Sequence, residues 1–277
     1  TMTRLAQLNL YPIKGCRGIA LTAAEFTSTG LEFDEVGDRE WVVSDADGEF
    51  LSQRELPKMA LIETRIEHGL LILKAPGMLR LDVPLASEGD VVKVRVWNDT
   101  LDAVTQGELT DAWFSAFLGQ PCRLLRFDPE QRRLSNSKFT GPVESPYKFA
   151  DAFAVLITSR ASLDDLNQRL AAKGQAAVGM ERFRANLVLE GVGAFEEDFI
   201  DELTIGTTRL KVVKPCVRCT VPSVDPATGV QGVEPGDTLA VYRNMEKAGG
   251  VSFGVNAIVT SAGALRVGDA VDVQLAL

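Results

Sequence analysis

The chain has 277 residues, 45% of them hydrophobic and 24% charged, a globular balance that excludes a disordered or fibrous protein. Twenty-nine Lys and Arg against 38 Asp and Glu leave a formal charge of −9, so broad binding to nucleic acid or a membrane surface is excluded and any anion must meet a local basic pocket. No run approaches the ~20 apolar residues of a membrane span, the N-terminus lacks a signal-peptide core, and four cysteines are too few for a disulfide scaffold; the expectation is a cytoplasmic protein.

The first third reads as strands. Leu8 and Leu10 alternate with Gln7 and Asn9, and Pro12 ends the run. Trp41-Val42-Val43 leads into the turn signal Asp45-Ala46-Asp47-Gly48, after which Phe50-Leu51 is again extended. Leu61 to Ile66 and Leu70 to Leu73 flank His68-Gly69 as a hairpin would. Val92, Val94 and Val96 alternate with Lys93 and Arg95, which predicts one buried and one wet face. Trp113, Phe114, Phe117 and Leu118 have helical spacing after Thr110, and Gly119 supplies the stop. Cys122 to Phe127 is strand-like, and the polar, Pro-bearing residues 128–148 read as an exposed linker or long loop.

In the second half, Ala152 to Ile157 predicts a strand. Ser162-Leu163-Asp164-Asp165 predicts a capping box opening a helix that carries Leu166 and Leu170 and stops at Gly174. Leu187 to Leu189, Leu203 to Ile205, Leu210 to Val213 and Phe253 to Val259 read as strands, with a short helix over Thr238–Lys247. A turn and an alternating strand close the chain over Leu265–Val273. Many short strands and few helices predict a mainly β fold (α+β) of two β-barrel-like domains, divided as 1–127 and 128–277.

Three features carry chemistry. In Lys214-Pro215-Cys216-Val217-Arg218-Cys219, flanking cations favour the thiolate, a soft ligand and nucleophile. Half of a zinc knuckle, a dithiol redox pair and a single cysteine ligand to a metal otherwise held by a cofactor all remain open there. With His68 as the only histidine, His-based metal sites and Ser-His-Asp catalysis are disfavoured. Tyr11-Pro12-Ile13-Lys14-Gly15-Cys16-Arg17-Gly18 places a point charge, an open backbone N–H and a guanidinium in one tight loop, which is anion-binding chemistry. Arg39, Arg54 and Arg184 stand beside strand ends, close to Trp41 or Phe183, where they can build one anionic pocket.

These segments resemble a known family. The runs Tyr11–Gly18, Gly37-Asp38-Arg39-Glu40-Trp41-Val42-Val43 and Leu51-Ser52-Gln53-Arg54-Glu55 are similar to the MOSC N-terminal β-barrel domain. Phe183-Arg184-Ala185-Asn186, Cys216-Val217-Arg218-Cys219, Val224-Asp225-Pro226-Ala227-Thr228-Gly229, Phe253-Gly254-Val255-Asn256 and Val267-Gly268-Asp269 resemble the MOSC domain. The whole chain looks like the YcbX-type proteins and the amidoxime-reducing components. That resemblance implies a molybdenum cofactor (Mo-molybdopterin) in a cleft between the two domains and a detoxifying oxidoreductase that reduces small N-hydroxylated compounds.

Carried over by position, the resemblance puts pterin-phosphate contacts on Lys14 and the backbone of Gly15, further cofactor contacts on Arg39, Ser159, Arg184, Asn186 and Arg218, and the molybdenum ligand on Cys219. The residue after the motif lysine is usually serine; Gly15 stands there instead and shifts phosphate binding toward backbone amides. Asp225 is a candidate proton relay near the metal, against its plainer reading as a turn residue before Pro226. Some relatives carry a C-terminal plant-type ferredoxin domain, and no such cysteine spacing precedes Leu277, so the expected electron source is a separate ferredoxin- or flavodoxin-type protein. The alternative the family offers is a cofactor-binding or sulfur-carrier module using a persulfide on Cys219. Through the family's sulfurases, pyridoxal phosphate is also associated with it.

Overall fold

A computed structural model describes residues 2–276. Strand Arg4–Leu10 forms where alternation predicts it. A bulge between Leu5 and Gln7 shifts the register by one residue against Leu187–Glu190, and Leu5 and Ala6 are both buried there. This strand pairs antiparallel with Ile19–Leu21 on one side and Leu187–Glu190 on the other. From there the largest sheet runs through Val155–Ser159, Gly250–Ser261, Thr208–Val217, Ile200–Ile205 and Asp272–Leu275, with Asn244–Met245 paired off Gly250–Ser261. Val155–Ser159 and Leu187–Glu190 are parallel, and the helix Arg160–Ala172 makes the crossover between them.

Strands Val91–Val96, Asp99–Thr105, Cys122–Phe127 and Trp41–Asp45 form a second, antiparallel sheet. Val42, Val94, Val96, Ala103, Leu125 and Phe149 pack into a small core of its own. Helix Glu108–Leu118 buries Trp113, Phe114, Phe117 and Leu118 and ends at Gly119, whose φ of 76° is the left-handed conformation of a helix stop. A third sheet joins Gly263–Arg266 to Ala23–Thr27, Gly30–Phe33 and Val36–Gly37, and a fourth holds Glu63–Glu67, Leu70–Lys74 and Leu81–Pro84. The mainly β architecture is as expected. Strands from the two ends of the chain interleave, because Arg4–Leu10 joins the large sheet and Gly263–Arg266 joins the third.

Two helix boundaries are corrected. The helix predicted from Ser162 begins at Arg160, because Ser159 is the cap: its hydroxyl accepts from the Ser162 N–H at 3.2 Å. The helix predicted over Thr238–Lys247 ends at Tyr242, since Asn244–Met245 pairs with Gly250–Ser261 and draws the backbone into extended geometry. Residues 128–148 are a long, mostly exposed loop, as read, around the short helix Ser137–Thr140, and a few buried side chains tie it to the fold. Arg133 is buried, donates to the Lys148 and Ala150 carbonyls and pairs with Asp99, while Ser135 donates to the Ala152 carbonyl. Most polar residues there face solvent, while Arg133 and Ser135 supply internal hydrogen bonds.

Candidate active site

Pro12 removes a donor at the end of Arg4–Leu10, and the chain turns beneath Trp41: the Lys14 N–H donates to the Trp41 carbonyl and the Trp41 N–H to the Pro12 carbonyl. Gly15 has φ of +89°, which favours glycine, and a Cβ there would meet only the mobile tip of Met59, at 2.9 Å from Cε. The turned backbone sends Lys14 inward, where Nζ donates to Asp151 Oδ1 at 2.6 Å. The same oxygen accepts from Trp97 Nε1 at 2.9 Å. Burial pushes the Lys14 ammonium below the ordinary lysine value, with Asp151 opposing the drop. Desolvation works against charge on Asp151, but the Lys14 ammonium and the Trp97 N–H outweigh it and hold the carboxyl below the usual range.

Arg39 and Arg184 both adopt left-handed backbone, φ 48° and 57°, which costs energy for a non-glycine residue and here turns both side chains onto Tyr11. Each guanidinium carbon is 4.4 Å from the Tyr11 ring centroid. Arg39 donates to Asp38 Oδ2 at 2.7 Å and to the Arg184 carbonyl at 3.1 Å. Arg184 donates through Nη1 to the Cys16 carbonyl at 2.6 Å, while its Nη2 is buried with no partner. Burial, and then the neighbouring Arg39, lower its pKa to about 10, so it stays charged at neutral pH.

The thiol end is built by Thr208–Val217. Its ladder with Gly250–Ser261 breaks register on both sides of Lys214-Pro215, where proline has no N–H to give. The strand shifts register there and pairs again at Val217 with Ser252, and Cys216 and Cys219 both line the cleft. Arg218 is fixed by its N–H on the Val251 carbonyl, and its guanidinium donates to Cys216 Sγ at 3.1 Å and to the Phe183 carbonyl at 2.7 Å. Cys216 is half-buried under that contact, whereas Cys219 is exposed.

One cleft of about 270 Å³ brings together Lys14, Gly15, Arg39, Arg184, Asn186, Arg218 and Cys219. Its walls come from both halves of the chain. Asn186 lines it with both ends of its amide already in use: Oδ1 accepts from the Leu156 N–H, and Nδ2 donates to the Asn9 carbonyl.

Two expected residues lie elsewhere. Ser159 is fully buried as the helix cap and donates to Glu197 Oε2 at 3.0 Å, which leaves its hydroxyl nothing to offer the cleft. Asp225 is a turn residue, as the Asp-Pro dipeptide allows: Oδ1 accepts from the Ala227 N–H and its carbonyl from Gly229. The sequence reading missed Asp151, whose only signal was an acid set within the apolar run Phe149–Ala154, and the pairing of Trp97 with it.

The donor set suits an anionic group that brings its own metal ligands. Among the described residues no three His, Cys, Asp or Glu side chains converge on one point, so the protein by itself supplies no zinc-type cage. What it supplies is an exposed soft sulfur, six cations and an orphaned guanidinium nitrogen, which match a phosphate-bearing cofactor whose metal takes one protein thiolate.

Fold and cleft define a two-part MOSC protein. The profile described as the MOSC N-terminal beta barrel domain matches residues 2–121, and the MOSC domain matches residues 144–272. Mitochondrial amidoxime reducing component 2 of Bos taurus is 36% identical over 279 residues, covering 96% of this chain and 82% of that protein. The human protein of the same name is 35% identical with the same coverage. A solution structure from Bordetella bronchiseptica shares 39% identity over 32% of this chain and 72% of its own, with a TM-score of 0.30. The chain belongs to the amidoxime reducing component family. The cytoplasmic location expected from composition is corrected by these relatives, which are named as mitochondrial. Sparse cysteines and net charge report on thiol chemistry and solubility, and neither distinguishes one reducing compartment from another.

Proposed function

We propose that this chain reduces N-hydroxylated compounds, amidoximes among them, at a molybdenum cofactor held in the cleft between residues 1–127 and 128–277. The observation that carries the reading is the convergence of an exposed thiol, Cys219, with Lys14, Arg39, Arg184 and Arg218 on one cleft in a chain of net charge −9. The cofactor, when bound, supplies the two-electron chemistry by which the N–OH oxygen leaves as water, the substrate taking up two electrons and two protons.

The chain's own residues do the rest. Cys219 offers its sulfur to the metal, while Cys216 is occupied by the Arg218 guanidinium and stays a neighbour. Lys14, Arg39, Arg184 and the Gly15 backbone hold the anionic end of the cofactor, each charge-assisted bond contributing about 1.5–3 kcal/mol. Tyr11 fixes both arginines from below, so little reorganisation accompanies binding. Electrons come from a separate ferredoxin- or flavodoxin-type protein through a small, transient contact.

The test is protein purified from a host competent in molybdopterin synthesis, with molybdenum and pterin quantified and benzamidoxime reduction measured with a chemical reductant. Stoichiometric molybdenum and turnover that disappears in Cys219→Ala are expected. Full activity in Cys219→Ala, or a persulfide on Cys219 with no turnover, overturns the proposal.

A further inference from the structure

Six cationic side chains line the cleft, and four of them are tied to protein oxygens: Lys14 to Asp151, Arg39 to Asp38, Arg184 to the Cys16 carbonyl and Arg218 to the Phe183 carbonyl. Arg54 and Lys214 are held differently. The Arg54 guanidinium lies 4.4 Å from the Trp97 centroid and 5.7 Å from that of Phe50. It donates no hydrogen bond among the described residues, and the nearest carboxylate oxygen, on Glu55, is 3.6 Å away and belongs to a group already engaged by Ser52. Lys214 Nζ lies 4.8 Å from the Phe139 centroid.

The aromatic platform under Arg54 is itself fixed. Trp97 packs on Phe50 at 5.3 Å, donates its indole N–H to Asp151 and sits at φ 54°, a left-handed conformation that bulky residues rarely adopt. It is nonetheless 47% exposed. Stacking orients a guanidinium plane without consuming its N–H donors, so Arg54 reaches the cleft oriented and with its donor fork unused. In an acidic protein, two cations kept on one cleft with free donors mark the place of a second anion, beyond the one that Lys14, Arg39 and Arg184 surround.

We propose that the substrate drawn into this cleft carries a carboxylate on a planar framework in addition to its N-hydroxy group, gripped by the Arg54 fork with Trp97 and Phe50 beside the plane. Lys214 adds to the positive potential. The inference rests on the reading of the cleft as an N-hydroxy reductase.

The experiment compares kcat/KM of the holoenzyme for 4-carboxybenzamidoxime and for benzamidoxime. Wild type should favour the carboxylated compound by about tenfold, chiefly through KM, and the ratio should shrink with added salt. Arg54→Gln should bring the ratio close to one, Lys214→Gln should lower it partly, and Arg54→Lys should restore part of it. In parallel, 4-carboxybenzamidoxime should quench the fluorescence of half-exposed Trp97, Trp41 and Trp113 being buried, and Arg54→Gln should weaken that titration about tenfold. Equal kcat/KM for the two compounds in wild type, or a ratio that survives Arg54→Gln, overturns the inference. So does a loss of molybdenum and pterin in Arg54→Gln with the ratio intact, which would make Arg54 a cofactor ligand. If wild type reduces neither compound, the reductase reading fails, and the fluorescence titration still decides whether Arg54 binds the carboxylate.

Discussion

Asn186→Ala deletes two buried hydrogen bonds at the junction of the chain's two halves. The side chain is 1% exposed; Oδ1 accepts from the Leu156 N–H at 3.1 Å, and Nδ2 donates to the Asn9 carbonyl at 3.2 Å. The backbone repeats the connection, Asn186 N–H to the Leu156 carbonyl and Asn9 N–H to the Asn186 carbonyl, both at 2.9 Å. Truncation leaves one donor and one acceptor unpaired, each costing about 1–3 kcal/mol. Because Asn186 also lines the cleft, water can repair part of the loss, which puts the expected destabilisation at about 2–4 kcal/mol, or roughly 3–7 °C in Tm for a chain of this size. The assay is urea and thermal unfolding of wild type and variant made in a host that lacks molybdopterin, so that no cofactor contributes. Unfolding of the cofactor-free variant within about 0.5 kcal/mol of wild type would refute the reasoning. The amide would then serve the cofactor rather than brace Arg4–Leu10 against the end of Val155–Ser159.

Ser159→Ala should cost about 1–2 kcal/mol by uncapping Arg160–Ala172, with molybdenum content per folded protein unchanged; retained stability with lost molybdenum would return Ser159 to the cofactor contacts. Cys219→Ala should leave the unfolding midpoint within about 0.5 kcal/mol of wild type, since an exposed side chain is removed, while reductase activity is lost. A thiol reagent at pH 8 should label Cys219 first and Cys216 more slowly. Cys16, whose thiol burial pushes up to about 12, and Cys122, also raised by burial, should react only on unfolding, and rapid labelling of all four cysteines would contradict the structure. The Asp151 carboxyl titrates below its ordinary 3.8 in the folded state, so its stabilisation is complete above that pH and is lost as pH falls further. Asp151→Asn should flatten the acid limb of a Tm–pH profile, and an unchanged limb would mean that the Lys14 pair contributes nothing.

Local pattern carried most of the element reading, because period-2 and period-3.6 burial act over a few residues. Leu8 and Leu10, Val94 and Val96, and the Trp113 to Leu118 stripe are all inside as their spacing predicts. Boundaries failed where a side chain had two plausible partners. Ser162 read as the cap, and Ser159, three residues earlier, takes that place because the parallel pairing of Val155–Ser159 with Leu187–Glu190 sets where the strand stops. Residues 128–148 are the long loop their composition suggests, but composition cannot tell a solvated arginine from Arg133, whose donors end on the Lys148 and Ala150 carbonyls and on Asp99.

The cleft was legible one residue at a time and illegible as a set. Lys14 and Cys219 share a cleft because Arg4–Leu10, with Ile19–Leu21 beyond it, joins the strands of the second half in one sheet, a pairing that no periodicity within Arg4–Leu10 announces. The resemblance named seven of the residues on the cleft, and it also named Ser159 and Asp225, which serve locally as a cap and a turn and do not line the cleft. Asp151 and Trp97 are the opposite case. Neither stands in a motif, yet one accepts from Lys14 and the other props Arg54. Motifs mark residues that touch what every member of a family shares. The residues that hold those in place, and those that face what differs between members, appear only when charge, burial and unused donors are read together on one surface.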